Sequence, residues 1–435
     1  MRWNDTCQSP KMPLMEQGTG TKSTTSARKV GVWLIGAAGG IGSTVALGLA
    51  AARLGRESCA GMVTELADFA TLGLVQTQDI QFGGHEIRSE TLVDAITQMH
   101  DDANLFDLRL IDACRPELVA FQRDIVAGTL YGASEPVRAM ANAGPVTESS
   151  PWEAVERLSS DIRAFRTKHD LDRVVVIHTA SAEPAARSTP AHASYAALSK
   201  ALKEPGNGDL PASSLYALAA VEADAPYVNF TPSLGIGVPA IQDRAREKGL
   251  PFMGNDGKTG ESLVKSFLAP MFVRRNLNVL SWVGQNILGN RDGQVLCDPE
   301  TREAKIKSKD GLLNSLDGQN TTRRVSIDYV PSLADWKIAW DFIHFEGFLG
   351  TKMSLQFTWQ GSDSVLAAPL ILDLVRLADH AHRTGYRDVM HHLACFFKSP
   401  LGVDEHNYEK QWQMLAAYAE RASSGDSHAV SGETA

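Results

Sequence analysis

From Val30 to Ala52 the chain carries no charge, yet it places Gly31, Gly36, Gly39, Gly40, Gly42 and Gly48 in that stretch. The length suits a membrane-spanning helix, and Arg28, Lys29 and Arg53 flank it. Glycine weakens a helix interior, however, and most of these glycines crowd the first half. The segment therefore reads as a buried strand, a tight turn and a helix. The polar residues ahead of it are also wrong for a signal peptide. The turn is Gly36-Ala-Ala-Gly39-Gly40-Ile-Gly42-Ser43. Between a strand and a helix, such glycines let backbone N–H groups approach a pyrophosphate at the positive end of the helix dipole. The spacing is looser than the G-x-G-x-x-G fingerprint, and a close-packed turn without a ligand is the plain alternative. A ribose-holding acid is expected after the second strand. Glu65, behind residues 58–64, and Glu86 are both candidates, and each could equally be a solvated loop carboxylate.

Strand-like and helix-like runs alternate as far as residue 254. Residues 30–35, 108–111, 173–178 and 227–229 read as buried strands, and residues 118–127, 152–168 and 213–222 as helices. That alternation predicts an α/β fold with a parallel sheet covered on both faces. The pattern then changes. Leu263, Val264, Phe267, Leu268 and Met271 share one helical face, kinked by Pro270. Met353, Leu355, Phe357 and Trp359 alternate with polar residues, as do Val325, Ile327 and Tyr329, so the middle of the chain predicts an α+β unit with an antiparallel-type sheet. Helices return at 364–382 and 386–397. Both ends, 1–29 and 421–435, are polar and are expected to be disordered.

A length of 435 residues is comfortable for two domains. The net charge of −9 gives no general attraction to nucleic acid or an anionic membrane, so neither is expected as a partner. Any positive charge that holds an anion must be local. Cys7, Cys59, Cys114, Cys297 and Cys395 are odd in number and form no C-x-x-C pair, which argues for reduced thiols and a cytoplasmic setting. His380, His382, His391 and His392 lack an acidic or thiol companion in sequence, and no metal is expected.

Lysines beside glycines, aspartates and aromatic runs offer the local charge. Lys258 lies in 254–260, Lys305 and Lys309 are spaced to share a helical face, Lys337 sits in an aromatic run, and Lys398 precedes Ser399-Pro400. A lysine in apolar surroundings needs an anion, and several together depress one another's pKa. Taken singly, each is more ordinarily a solvated charge, above all Lys305 and Lys309 in the polar run 302–309.

The motifs 254–262 (GNDGKTGES), 286–293 (NILGNRDG), Ser308-Lys309, 329–337 (YVPSLADWK), 363–369 (DSVLAAP) and 397–400 (FKSP) occur in an order that resembles the inositol-1-phosphate synthase family. The resemblance spans about residues 30–400. It implies a Rossmann-type NAD-binding domain of 30–254 plus 363–420, with an α+β catalytic and oligomerisation domain, 255–362, inserted in it, and a homotetramer. It also implies a reaction. Glucose 6-phosphate is oxidised at C5 with NAD and enolised, C6 attacks the C1 aldehyde, and the resulting ketone is reduced, giving myo-inositol 1-phosphate without net redox change.

By the same resemblance, Lys305 and Lys398 serve the C5 oxygen and its proton transfers, while Lys309 and Lys337 hold phosphate with Asn286 nearby. Gly36, Gly39, Gly40 and Gly42 form the cofactor turn, and Thr179, Ala180 and Thr231 lie along the dinucleotide. Glu86 takes the place of a family aspartate. Asp256, Thr259, Asn290, Asp292, Asp335, Asp363 and Ser364 fall near the cofactor or the lysines. The chain departs from the family at Gly40 and Ile41, where paired asparagines are usual, and at Thr259 for serine. Glu261 replaces glutamine, which would add negative charge near the phosphate, and Arg291 replaces asparagine, which would offset it. A cyclase for another sugar phosphate, a net NAD-linked dehydrogenase and a silent nucleotide-binding protein are the alternatives.

Overall fold

A computed structural model describes residues 28–424 apart from 57, 145, 147, 205–209, 312, 314, 315 and 317–319, with the side chains of 304 and 307–311 also outside it. Most of both polar ends therefore lies outside the described residues. At their inner limits the expectation of disorder fails. The Arg28 guanidinium donates to Asp379 at 2.7 Å, and the C-terminal helix Tyr408–Ser423 runs on past residue 421.

The first sheet contains β1 (Val30–Ile35), β2 (Ile80–Glu86), β3 (Ile125–Ala127), β4 (Arg173–His178), β5 (Tyr227–Asn229) and β6 (Phe252–Met253). Its order is β3-β2-β1-β4-β5-β6 with every pair parallel. Every residue of β1 is buried, as a central strand covered on both faces requires. The order reverses between β1 and β4, which opens a crevice at their carboxyl ends. The Asp363–Arg383 helix packs against the Gly40–Arg53 helix and β4, so the chain after residue 363 returns to this layer.

The second sheet contains β7 (Asn278–Leu288), β8 (Thr322–Tyr329), β9 (Trp336–Glu346) and β10 (Lys352–Ser362), in the order β10-β9-β7-β8. It is mixed rather than wholly antiparallel. β10, β9 and β7 are antiparallel neighbours, but β8 pairs parallel to β7 because helices at 291–295 and 299–311 carry the chain back between them.

Several elements differ from expectation. Residues 108–111 open the helix Leu108–Gln122, capped by the Asp107 carboxylate on the Arg109 N–H. The strand of that region is β3, inside the expected helix 118–127. A short apolar run does not distinguish the two conformations. Residues 58–64 form no strand, and Glu65 instead binds the Arg376 guanidinium at 2.6 Å. The second strand is β2, whose two internal glycines hide its strand character, and it ends at Glu86. Residues 386–397 contain only a 3-10 turn, His391–Phe396. Their backbone groups bond the 252–258 segment instead, through Met390 N–H to Phe252, Phe252 N–H to Asp388 and Lys258 N–H to Phe396.

The helix Gly260–Arg274 shows the sharpest reversal. Its apolar stripe is the open one, with Phe267 50% and Met271 38% exposed, whereas Glu261, Lys265 and Ser266 are buried. The Lys265 ammonium sits between the Glu261 and Asp341 carboxylates, 2.9 Å from Asp341, and Asp341 also accepts the Trp282 indole N–H at 2.7 Å.

Candidate active site

Strands β1, β2, β4 and β5 all end at one cavity of about 390 Å³, which is lined from the other side by residues of the second sheet and Lys398. Gly36, Gly39 and Gly40 line it, and their conformations show why glycine is needed there. Gly36 has φ +88°, and a Cβ on Gly40 would stand 2.5 Å from the Ser364 hydroxyl. A Cβ on Gly42 would meet the Ala37 carbonyl at 2.3 Å, so this glycine shapes the turn from behind without lining the cavity.

The turn is held by Glu86, the last residue of β2. One oxygen accepts the Ala38 N–H at 2.9 Å, and Arg88 binds both oxygens. Thr179 donates through its N–H and hydroxyl to the Ile35 carbonyl, fastening β4 to β1 beside Ala180. The Thr231 hydroxyl donates to Asn229 at 2.8 Å, and its carbonyl accepts the Asp256 N–H at 2.9 Å. Glu86, Thr179, Ala180, Thr231 and Thr259 all face the cavity. A glycine cradle with no room for a Cβ at Gly40 or Gly42 and a left-handed Gly36, at the N-terminus of a helix and beside a carboxylate at the end of the second strand, suits NAD.

Lysine–aspartate pairs form the opposite wall. Lys305 lies 3.3 Å from Asp292, Lys337 lies 3.2 Å from Asp363, and Lys398 lies 2.8 Å from Asp256. The three pairs differ electrically. Burial works against the Lys305 charge, but Asp292, Asp256 and Asp363 together outweigh it and raise its pKa. Lys398 is pushed the other way: burial lowers its pKa, Asp256 opposes, and Lys305 and Lys337 lower it further. Burial would raise the Asp363 carboxyl, yet the three lysines hold it below its usual value.

Asp335 joins the two walls. It accepts from the hydroxyls of Ser362 and Ser364, the latter at 2.8 Å, and the same Ser364 hydroxyl abuts Gly40. Asn290 caps the short helix that carries Asp292, accepting the Gly293 N–H at 3.0 Å.

Not every sequence candidate arrives here. Asn286 is buried in β7 and does not line the cavity. The Lys309 side chain lies outside the described residues. Lys258 turns away, donating to Gln411 at 2.5 Å against the Tyr408 ring, and burial lowers its pKa to about 8. Glu261 adds no charge to the cavity, because it is spent on Lys265. Arg291 pairs with Glu90 at 3.0 Å in the cavity lining, not with Glu261.

Sequence reasoning also missed lining residues: His178, Glu183 and Tyr216. Glu183 accepts the Ser213 N–H at 3.0 Å at the start of the Ala212–Glu222 helix, and burial raises its pKa to about 7. A histidine closing the otherwise apolar run of β4 was the available signal for His178.

The chain as a whole is similar to known proteins. The NAD-binding family described as myo-inositol-1-phosphate synthase matches residues 30–419. Inositol-3-phosphate synthase 1 of Bacteroides thetaiotaomicron is 33% identical over 413 residues, covering 89% of this chain and 94% of that protein. Inositol-3-phosphate synthase 1 of Oryza sativa subsp. japonica is 31% identical over 405 residues, covering 83% of this chain and 76% of that protein. Among solved structures, inositol-3-phosphate synthase of Caenorhabditis elegans shares the fold with a TM-score of 0.82 at 24% identity, over 92% of this chain and 86% of that one. The match over most of its length, together with the glycine cradle and the lysine wall, makes this chain a member of the myo-inositol-1-phosphate synthase family.

Proposed function

We propose that the protein converts glucose 6-phosphate to myo-inositol 1-phosphate (1D-myo-inositol 3-phosphate). The observation that carries this reading is the facing of a dinucleotide cradle by buried lysines of unlike basicity. Bound NAD supplies an oxidant for C5 and, later, the reductant that restores it. The chain's own residues supply the rest. Lys398, with its depressed pKa, takes the proton from the C5 hydroxyl and returns it at the end. Lys305 stays charged and stabilises the enolate oxygen in a site screened from water. Lys337, fixed by Asp363, meets the phosphate or orients the carbons that join, and Lys309 is assigned to the same task.

We read residues 30–254 with 363–420 as the cofactor unit and 255–362 as the catalytic and oligomerisation unit. The second sheet's face supports a homotetramer, because Trp340, 37% exposed, stacks with Phe342 and His344 along β9, with ring centroids 6.3 and 6.2 Å apart. Cys114, Cys297 and Cys395 are free thiols, in keeping with the cytoplasm, and no described helix is long and apolar enough to cross a membrane.

The test is phosphorus NMR of the protein with glucose 6-phosphate and NAD, with absorbance at 340 nm followed in parallel. An inositol phosphate signal without net NADH is expected. NADH accumulating in step with product would make the protein a dehydrogenase, and conversion of a different sugar phosphate alone would move the substrate.

A further inference from the structure

Among the described buried histidines, His178 faces the cavity with both ring nitrogens unpartnered, whereas His392, which leaves only its Nε2 unpartnered, stacks on Tyr418 outside it. His85, at the end of β2, takes the Trp33 indole N–H at 2.9 Å and meets Asp161 at 3.1 Å. His178, at the end of β4, is 1% exposed, and neither ring nitrogen has a hydrogen-bond partner in the protein. Its one ring neighbour is Tyr216, with centroids 5.9 Å apart, and the Tyr216 hydroxyl is already engaged by the Thr129 N–H at 2.8 Å. Buried polar groups are almost always satisfied, so an imidazole with two idle nitrogens in a cavity wall calls for a ligand.

We propose that His178 is a cofactor contact, its ring nitrogen hydrogen-bonding an uncharged hydroxyl or amide group of the bound dinucleotide. Position argues for the dinucleotide over the sugar phosphate. His178 directly precedes Thr179 and Ala180, at the point where strand order reverses and beside Gly36, whereas the lysines that suit a phosphate come from residue 305 onward. Chemistry agrees. Burial pushes the His178 pKa down to about 3, so the ring is neutral at working pH and offers a phosphate no charge. A neutral imidazole offers one donor and one acceptor, which matches a carboxamide or a ribose hydroxyl.

This inference rests on the NAD reading of the cavity, and the experiment separates the two. The full chain is titrated with NAD by calorimetry, and its NAD-free form is melted. His178→Leu is expected to bind NAD about tenfold more weakly. Its NAD-free form should melt at or above the wild-type temperature, because an unpartnered polar group has been replaced by an apolar one. His178→Gln, which keeps an amide within reach, should recover most of the affinity. The proposal is overturned if His178→Leu and His178→Phe both bind NAD like wild type. It is also overturned if both NAD-free variants melt several degrees lower or fail to fold, since the histidine would then be structural. A wild-type chain that does not bind NAD would overturn the cofactor reading itself, and this inference with it.

Discussion

Replacing Lys265 with methionine tests how the buried charges under the second sheet are balanced. Lys265 is 1% exposed, and the Glu261 and Asp341 side chains are completely covered. The group therefore has one positive charge against two potential negative ones. Burial lowers the Lys265 pKa, but the two carboxylates outweigh it and the ammonium stays charged. Asp341 is raised by burial and by Glu261 despite Lys265, and its Oδ2 has no hydrogen-bond donor, which leaves that oxygen free to take a proton. Methionine would strand two carboxyls in a dry interior, and losing one member of such a group costs about 3–5 kcal/mol. Unfolding entropy is about 2.1 cal/mol/K per residue, or roughly 0.9 kcal/mol/K for this chain, so the melting temperature should fall by about 3–5 °C. Glu261→Gln is the informative partner. It removes the excess negative charge and leaves the Lys265–Asp341 pair with its Trp282 bond intact, so it should melt within about 1 °C of wild type or above it. Both variants would be followed by scanning calorimetry at pH 7. The reasoning fails if Lys265→Met costs under about 1 °C, or if Glu261→Gln costs as much as Lys265→Met. Because Glu261 lies outside the cavity, Glu261→Gln should also leave the affinity for the sugar phosphate unchanged.

Further outcomes follow from the same structure. The depressed Lys398 pKa makes kcat rise with pH along a limb centred below lysine's usual 10.5, and Asp256→Asn should move that limb to lower pH, because Asp256 is the group that raises the pKa. Lys305→Ala should cut kcat by about a hundredfold or more through lost enolate stabilisation; wild-type turnover in that variant would remove Lys305 from the mechanism. Glu183 has a folded pKa of about 7 against an ordinary 4.5, so its protonated form stabilises the fold fully below 4.5, and that contribution is lost as pH rises through 7. Denaturant melts of Glu183→Gln should show a shallower decline than wild type across that window, with a residual slope to which Asp373, raised by burial to about 6, and the other buried carboxyls contribute. Gly40→Ala should drive the Ser364 hydroxyl off Asp335 and weaken NAD binding at least tenfold by calorimetry, and unchanged affinity would mean that the turn does not cradle the cofactor.

The strand, turn and helix of residues 30–53 were legible because their causes are local: an uninterrupted apolar run, glycines where the backbone must fold back, then small residues. The alternating pattern of β10 was legible for the same reason. Ordered short motifs pointed to lysines far apart in sequence, and Lys305, Lys337 and Lys398 line one cavity. What failed depended on partners distant in sequence. Residues 386–397 lost their helix to hydrogen bonds with 252–258, and Lys258 turned toward Gln411 on the last helix. The Gly260–Arg274 helix buried its charged face because Asp341, far along the chain, waits opposite Lys265. No periodicity carries that information. The lysines' unlike basicities were likewise set by the fold, since burial and the three aspartates are properties of the assembled cavity. Sequence determined which segments fold locally and which side chains are available. The tertiary structure decided which of them meet, and with that their charge and their chemistry.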